Sequence, residues 1–581
     1  MKPMLRTLLA GGLALSVVSA GTYVGAATAQ PKAGQPKAAA PAADKAASKN
    51  LIVLIGDGMG PAQVSAARYY QQYDKKVNHL NLDPYYVGQA TTYADRGEDG
   101  GKIVSGIVTD SASAGTAFAT GHKTYNAGIS VSNEDVSKPF ASVIEAAEAS
   151  GKATGLVTTA RITHATPAVY ASHVRNRDNE AAIASQYLDS GVDVLLGGGK
   201  QFFVTKDEKG KRTDKNLLGD FKAKGYQVVE SANNLKAVPA KEGTKVLGLF
   251  GSSHVAYVPD RTPETPSLAA MTSKALDILS KDKDGFVMMI EGGRIDHAGH
   301  ANDLPTMVQE TLDFDAAFKT AIEFAKKDGN TSVVVTADHE TGGLSLSRDN
   351  IYELNMDLWD KQKHSSESLA KALEEAQTPE DIRKIVQENT WITDLSDEEV
   401  QQIMAGDGSS YKREGAYNAV ISKRLLVGWS GHGHSAVDVG VWAYGPIADK
   451  VKGQVDNTQI AKAGAAVVGV DLNKRSKELQ AQYIYPKFKI SRDNEVLYPA
   501  KALTAALGGA AKENGGVLKL TIGKNTADID LNGKSAKFNA KAAAYTVDID
   551  NGTVYLPLEA FKQLSGRSLA WDSLSERIAL K

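Results

Sequence analysis

Leu51-Ile52-Val53-Leu54-Ile55-Gly56-Asp57-Gly58 is the stretch on which the architecture turns. Its apolar run leaves neither side of a strand polar, as a strand buried on both faces of a sheet requires, and Gly-Asp-Gly ends it abruptly. Similar runs recur at 154–157, 192–196, 286–290 and 332–335, and between them lie Ala-rich amphipathic stretches such as 142–149 and 304–326. Strands alternating with helices predict an α/β fold, with a mostly parallel central sheet flanked by helices on both faces.

Upstream of this run, residues 30–49 are mainly Ala, Pro and Lys, the composition of a linker that cannot bury enough surface to fold. Earlier still, Lys2 and Arg6 accompany an apolar stretch from Leu8 to Val18, and Ala27-Thr28-Ala29 offers small residues for cleavage. That order predicts a signal peptide over 1–29 and a secreted or extracellular protein. The apolar stretch, broken by Gly and Ser, is short for a bilayer span, so no membrane span is expected in the mature chain. The absence of cysteine excludes disulfides, a lipidated anchor, a thiolate nucleophile and thiolate metal sites.

Downstream, 581 residues are more than one hydrophobic core usually holds. A catalytic domain is expected over 50–484. Within it, 347–427 are polar and helix-rich, with Thr378-Pro379-Glu380-Asp381 as one helix start and Ser396 with Glu399 as a capping box. This segment predicts a helical insertion over the site. From about Tyr485, Asn514-Gly515, Asn532-Gly533 and Asn551-Gly552 fall between short alternating strands, the signature of hairpins in a small α+β domain over 485–581. A formal net charge of -2 gives no support for wholesale binding to nucleic acid or anionic membrane, so phosphate chemistry needs a local cationic site.

Open parallel sheets hold their ligands just beyond the carboxyl ends of the strands. Beyond 51–55 comes Asp57; beyond 286–290 come Glu291, Asp296 and His300; beyond 332–335 come Asp338 and His339. Asp, Glu and His without Cys suit zinc where imidazoles gather and magnesium where only oxygens meet. Asp296 and His300 are one helical turn apart and can face one ion. His434 lies far along the chain in Gly431-His432-Gly433-His434-Ser435, where His432 is a rival ligand that alternation would turn to the other side. In Thr109-Asp110-Ser111-Ala112-Ser113-Ala114-Gly115, small residues follow Ser111 and place it at a helix N-terminus. There the dipole and free N–H groups favour an anionic phosphoryl group. A serine alcohol attacks only once its pKa is lowered, which a neighbouring zinc would do.

Five segments together resemble the bacterial alkaline phosphatases of the alkaline phosphatase superfamily: Gly56-Asp57-Gly58-Met59-Gly60, Asp110-Ser111-Ala112, Thr120-Gly121-His122-Lys123-Thr124, Glu291-Gly292-Gly293-Arg294-Ile295-Asp296 with His300, and Thr336-Ala337-Asp338-His339-Glu340-Thr341-Gly342-Gly343. The resemblance spans about 50–446 outside the polar insertion. It implies a phosphomonoesterase that passes through a phosphoserine on Ser111. It further implies that Asp296, His300 and His434 hold one Zn2+, that Asp57, Asp338 and His339 hold a second, and that Ser111 joins them. Asp57, Thr166 and Glu291 would hold a third ion, usually Mg2+. Arg177 falls at the family's phosphate-clamping arginine, whose fork of donors lysine cannot match. Asp110 either orients Arg177 or caps the helix.

The chain departs from the best-known bacterial form, which has Asp and Lys where this sequence has His164 and His297; animal members resemble this chain in having His at both. His164 is therefore expected to ligate the third ion directly or through water, with His297 behind it. Such a site is expected to tolerate Zn2+ or Co2+ better than an all-oxygen one. His173, Trp429 and Trp442 are expected to pack, and His79, His122, His254 and His364 have no chemical partner legible in the sequence.

A phosphodiesterase or sulfatase of the same superfamily is the nearest alternative. Ser111-Ala112-Ser113-Ala114-Gly115 lacks the sulfatase pattern, and diesterases generally use Thr and lack the third site. A surface-binding protein with a silent enzyme domain is the alternative from another class. It is motivated by Val554-Tyr555-Leu556-Pro557-Leu558 and Leu569-Ala570-Trp571-Asp572, which resemble the stalk-like N-terminal domain of copper amine oxidases. No His follows His434, so copper ligation is not expected there, and cell-wall or protein contact is. The family resemblance implies small phosphate monoesters as substrates and leaves a homodimer open.

Overall fold

The computed structural model describes residues 47–491 and 493–581. The expected signal peptide and all but the end of the expected linker lie outside the described residues. The packed fold takes in residues before position 50: Ser48 is buried and its N–H donates to the Val467 carbonyl at 2.7 Å.

The centre is a ten-stranded sheet in the order Gly453–Asp456, Tyr86–Thr91, Val439–Tyr444, Thr331–Ala337, Asn50–Gly56, Phe286–Gly292, Ala153–Arg161, Val194–Gly198, Lys245–Leu249, Tyr226–Val229. Neighbours are parallel except on the two sides of Val439–Tyr444. Asn50–Gly56 is buried along its whole length, as its unbroken apolar run demands. Helices Pro61–Lys75, Leu268–Leu279 and Leu304–Asp328 pack as one group over the sheet, and Ser111–Thr120, Val143–Glu148 and Thr458–Val468 as another. The expected α/β architecture is the observed one.

Three adjacent strands end in register: Ile55 lies between Glu291 and Thr336, and Glu291 pairs in turn with Thr158. This register places Asp57, Glu291 and Asp338 side by side. The insertion contributes helices Ser366–Glu375, Pro379–Asn389, Asp397–Ala405 and Lys412–Leu425; the expected capping box stands at Ser396, and the expected helix start at Thr378 is a capping box as well.

A second hydrophobic core runs from Ile484 to Ile578 and takes in Val136 from the catalytic part. Helices Ala500–Ala506 and Leu558–Ser565 pack there with a five-stranded antiparallel meander, Ala510–Asn514 to Lys541–Ala543. The three Asn-Gly pairs form turns in this region, while the turn at Asn539-Ala540 reaches positive φ without a glycine. Tyr483–Pro486 crosses the 484/485 boundary expected from composition and pairs with Val136–Ser137 on one side and Arg577–Leu580 on the other. One strand thus stitches the two cores together. Among the described residues, no helix is long and apolar enough to cross a membrane.

Candidate active site and metal centre

Ser111 opens the helix Ser111–Thr120, is 1% exposed, and its hydroxyl lies 3.2 Å from Nε2 of His339. Asp110 is the N-cap: its carboxylate accepts from the Ser113 N–H at 2.9 Å, and its other oxygen accepts from the Ala127 N–H at 2.9 Å and from Arg177 at 3.1 Å. Both readings of Asp110 therefore hold together; capping the helix and orienting the arginine use different oxygens. The second arm of Arg177 donates to Nε2 of His164 at 2.9 Å.

Around the hydroxyl stand three groups of ligand-capable side chains: Asp296 with His339 and His434, Asp57 with Asp338 and His339, and Asp57 with His164 and Glu291. His300 adjoins the first, its Nε2 lying 3.3 Å from Asp296 and 3.1 Å from Nε2 of His434. His434 arrives through a two-residue antiparallel ladder in which Glu340 pairs with Ser435 and Thr341 with His434. Each imidazole has its Nδ1 engaged: His434 with the Thr109 carbonyl at 2.8 Å, His300 with the His432 carbonyl, and His339 with the Thr341 hydroxyl at 3.3 Å. Nε2 is thereby turned inward in all three, as a second layer around a metal does. Gly58 is required here, because it sits at φ +67° and a Cβ would come within 2.7 Å of the Asp296 backbone.

The charges are crowded beyond what hydrogen bonding relieves. Both carboxylate oxygens of Asp57, one each of Glu291 and Asp338, Nδ1 of His164 and the Thr166 hydroxyl are buried without a hydrogen-bond partner. Burial, then the carboxylates of Asp338, Asp296 and Glu291, push Asp57 well above the usual carboxylate range. Burial pushes Glu291 up to about 7 although Thr158 donates to it. Asp296 goes the other way: burial would raise it, but His300, His434 and His339 hold it well below. Burial opposes a proton on His300, yet Asp296 outweighs it and raises the imidazole to about 9. Carboxylates stranded together in a dry site cost several kcal/mol each unless paired. A donor set of carboxylates, imidazole nitrogens and a hydroxyl, converging with inward lone pairs and orphaned oxygens, fits divalent cations.

His297 lies behind His164, with ring centroids 5.5 Å apart, and accepts from Arg294 at 3.3 Å. His432, the rival ligand, is turned away: its Nε2 lies 3.0 Å from Asp407 of the insertion, and Nδ1 donates to the His300 carbonyl at 2.6 Å. His173 packs as expected, bridging Glu145 and the Ser130 carbonyl. Sequence reasoning missed Thr158, Thr341, Asp407 and, most of all, His254. Its ring lies 4.2 Å from that of His297, and Arg161 donates to its Nε2 at 2.5 Å. His254 follows the strand Lys245–Leu249 and Thr158 lies near the carboxyl end of Ala153–Arg161, so the strand-end rule applied to every strand would have flagged both.

Residues 48–470 match the family model described as alkaline phosphatase. The chain belongs to the alkaline phosphatase family. "Alkaline phosphatase 3" of Bacillus subtilis is 42% identical over 424 residues, covering 71% of this chain and 87% of that protein. The repressible alkaline phosphatase of Saccharomyces cerevisiae is 35% identical, covering 73% of this chain and 82% of that one. Among solved structures, the cold-active alkaline phosphatase of a psychrophilic Shewanella superposes with TM-score 0.63 at 36% identity, over 72% of this chain and 99% of that one. Family membership makes the protein an enzyme, a phosphomonoesterase that binds divalent metal.

Proposed function

We propose that the protein is a secreted phosphomonoesterase that hydrolyses small phosphate monoesters through a phosphoserine on Ser111, at a site for two Zn2+ and one Mg2+. The observation that carries this reading is the convergence of three acid and imidazole groups on a hydroxyl at a helix N-terminus. Asp296, His300 and His434 would hold one zinc, and Asp57, Asp338 and His339 the other. Asp57, Thr166, Glu291 and His164 would hold the third ion, with His164 making Zn2+ or Co2+ acceptable there. Bound in these places, the ions would supply Lewis-acid charge neutralisation and acidify oxygen ligands.

The chain's own groups do the rest. Arg177, fixed by Asp110 and His164, presents its fork to two phosphoryl oxygens. The free N–H groups and dipole at the start of Ser111–Thr120 favour the same anion. The Ser111 oxygen attacks phosphorus as the alcohol leaves, giving a phosphoserine, and water then attacks that phosphorus and returns the serine hydroxyl with inorganic phosphate. Two inversions give net retention. His297 and His254 pack behind His164 and keep its ring in place.

Ser111→Ala is expected to lower kcat by about 10⁴-fold or more, as loss of a covalent nucleophile does. Undiminished turnover would remove the mechanism. Activity lost on chelation, restored by zinc with magnesium and not by magnesium alone, supports these ions. The diesterase alternative predicts faster hydrolysis of bis(p-nitrophenyl) phosphate than of p-nitrophenyl phosphate; the opposite is expected.

Cell-wall contact through 485–581 is the proposed role of the last module. Lys512, Lys519 and Lys537 are exposed across its meander, with Lys512 opposite Lys519 and Asp528 between Lys519 and Lys537, so the row keeps a net positive charge that suits an anionic polymer. Loss of wall partitioning on truncation after Pro486 tests it. A homodimer is also proposed, supported by exposed Tyr69, Tyr73, Ile107 and Val108, and light scattering decides it.

A further inference from the structure

The segment that carries Arg177 is held from two sides, and one of those sides belongs to the C-terminal module. Toward the nucleophile, the Arg177 N–H donates to the Ala127 carbonyl at 2.8 Å, and the Tyr125 hydroxyl donates to the Arg175 carbonyl at 2.7 Å. Toward the end of the chain, the side-chain amide of Asn179 donates to the Leu574 carbonyl at 2.8 Å. The guanidinium of Arg175 donates to the Tyr485 carbonyl at 3.0 Å, to the Ser137 hydroxyl at 2.5 Å and to the Glu134 carbonyl at 3.0 Å.

The turn that presents Leu574 is itself fixed. It joins Leu569–Asp572 to Arg577–Leu580, and the Asp572 carboxylate accepts from the N–H groups of Leu574 and Ser575 at 3.2 Å each. The Leu574 side chain packs against the catalytic core, while Val136 of the catalytic part is buried in the C-terminal core. This exchange of apolar side chains keeps the turn from swinging away without exposing both. Asn179 also caps the helix Glu180–Ser190, its oxygen accepting from the Ala182 N–H at 3.4 Å. One residue therefore joins the module, the helix start and the arginine two positions before it.

We propose that the C-terminal module is part of the phosphate clamp: the Leu574 and Tyr485 carbonyls, acting through Asn179 and Arg175, hold the 175–179 segment so that Arg177 keeps the orientation in which its fork meets the phosphoryl oxygens. Asn179 and Arg175 are positioning residues. The inference rests on the reading of Arg177 given above. A fork binds two oxygens only when its plane is set, and a displacement of about 1 Å at such a group costs up to about 10²-fold. The module would thereby govern phosphate affinity, and with it product inhibition, in a chain whose reacting groups all lie elsewhere.

N179D in the full-length protein tests this, because Asp retains an oxygen for the helix cap and removes the N–H that Leu574 receives. The inhibition constant for inorganic phosphate and KM for p-nitrophenyl phosphate are expected to rise about 5- to 10-fold, with kcat within about twofold and Tm within a few degrees. R175Q, which loses the Nη1 donor to Tyr485 and Ser137, is expected to move the same constants in the same direction. In an Arg177→Ala background N179D is expected to add nothing further to the phosphate inhibition constant, since both changes act on one element. Equal effects in the two backgrounds, a fall in kcat without a change in KM, or an unchanged inhibition constant in both N179D and R175Q would overturn the proposal. If Arg177→Ala by itself left phosphate inhibition unchanged, the clamp reading of Arg177 would fail instead.

Discussion

The catalytic part and the C-terminal module bury the same kinds of apolar side chain and differ in the charge they admit. Between 487 and 581 the buried polar side chains among the described residues are Thr504 and Ser575. The catalytic part encloses Asp57, Glu291, Asp296, Asp338 and His339 around one hydroxyl, and further carboxylates such as Glu310 beyond it. A core free of buried charge is a frame whose stability follows its packing. A core holding stranded carboxylates gives up stability until a cation arrives, and that is the form in which function is written into a fold.

The strongest way to break this contrast is Asp57→Asn. Its isosteric amide removes a charge that burial and three neighbouring carboxylates oppose. kcat/KM is expected to fall by about 10³-fold or more, while the chelated protein melts at a higher temperature than chelated wild type. A lower melting point in the metal-free state would mean that the site is not strained as described.

Chelation of wild type is expected to lower the melting transition of the catalytic part, by the equivalent of about 4 kcal/mol for each ion held at a thousand times its Kd. The transition of the module should stay where it was, and calorimetry with and without chelator separates the two. Phe561→Ala does the converse. Phe561 is 0% exposed at the centre of the second core, so truncation is expected to cost about 3–5 kcal/mol there and leave kcat within about twofold.

The smallest effect is the dependence on pH. Burial pushes Glu148, Glu310 and Glu414 each up to about 7, against the Thr154 hydroxyl, the Arg261 charge and the Ser366 hydroxyl respectively. The folded chain therefore holds these protons more tightly than the unfolded chain does, so their contribution is complete below the ordinary glutamate range and is lost as pH rises through about 7. The catalytic transition should fall between pH 5 and 8 by more than that of the module. Equal shifts of both would show that the difference in buried charge has no thermodynamic weight.

Much of the site was legible before any coordinates. Asp57, Glu291, Asp338 and His339 follow apolar strands directly, and the strand-end rule needs only the order of residues along each strand. Asp296 and His300 needed only the helical period, and Ser111 only the small residues after it. For His254 the strand-end rule gives only a place beyond Lys245–Leu249; its partners stayed hidden, because nothing near it in sequence names Arg161 or His297 as its neighbours. Asp407 was hidden for the same reason, inside an insertion whose sequence has no metal or phosphate motif, although its carboxylate holds His432 away from the ligands. At the 484/485 boundary composition changes while hydrogen bonding does not: Tyr483–Pro486 is a single strand shared by both parts.

Sequence alone determined the alternation of strands and helices, the caps at Asp110, Ser142, Thr378 and Ser396, and which residue types stand at the strand ends. Those features depend on side-chain period and on groups a few residues apart, so short-range physics suffices. Tertiary structure alone decided which nitrogen of each histidine faces inward, that Asp407 of the insertion takes His432, and that the last turn of the chain reaches Asn179 beside the arginine. Each of these is set by a partner from a distant part of the chain, and only packing brings such partners within hydrogen-bonding reach.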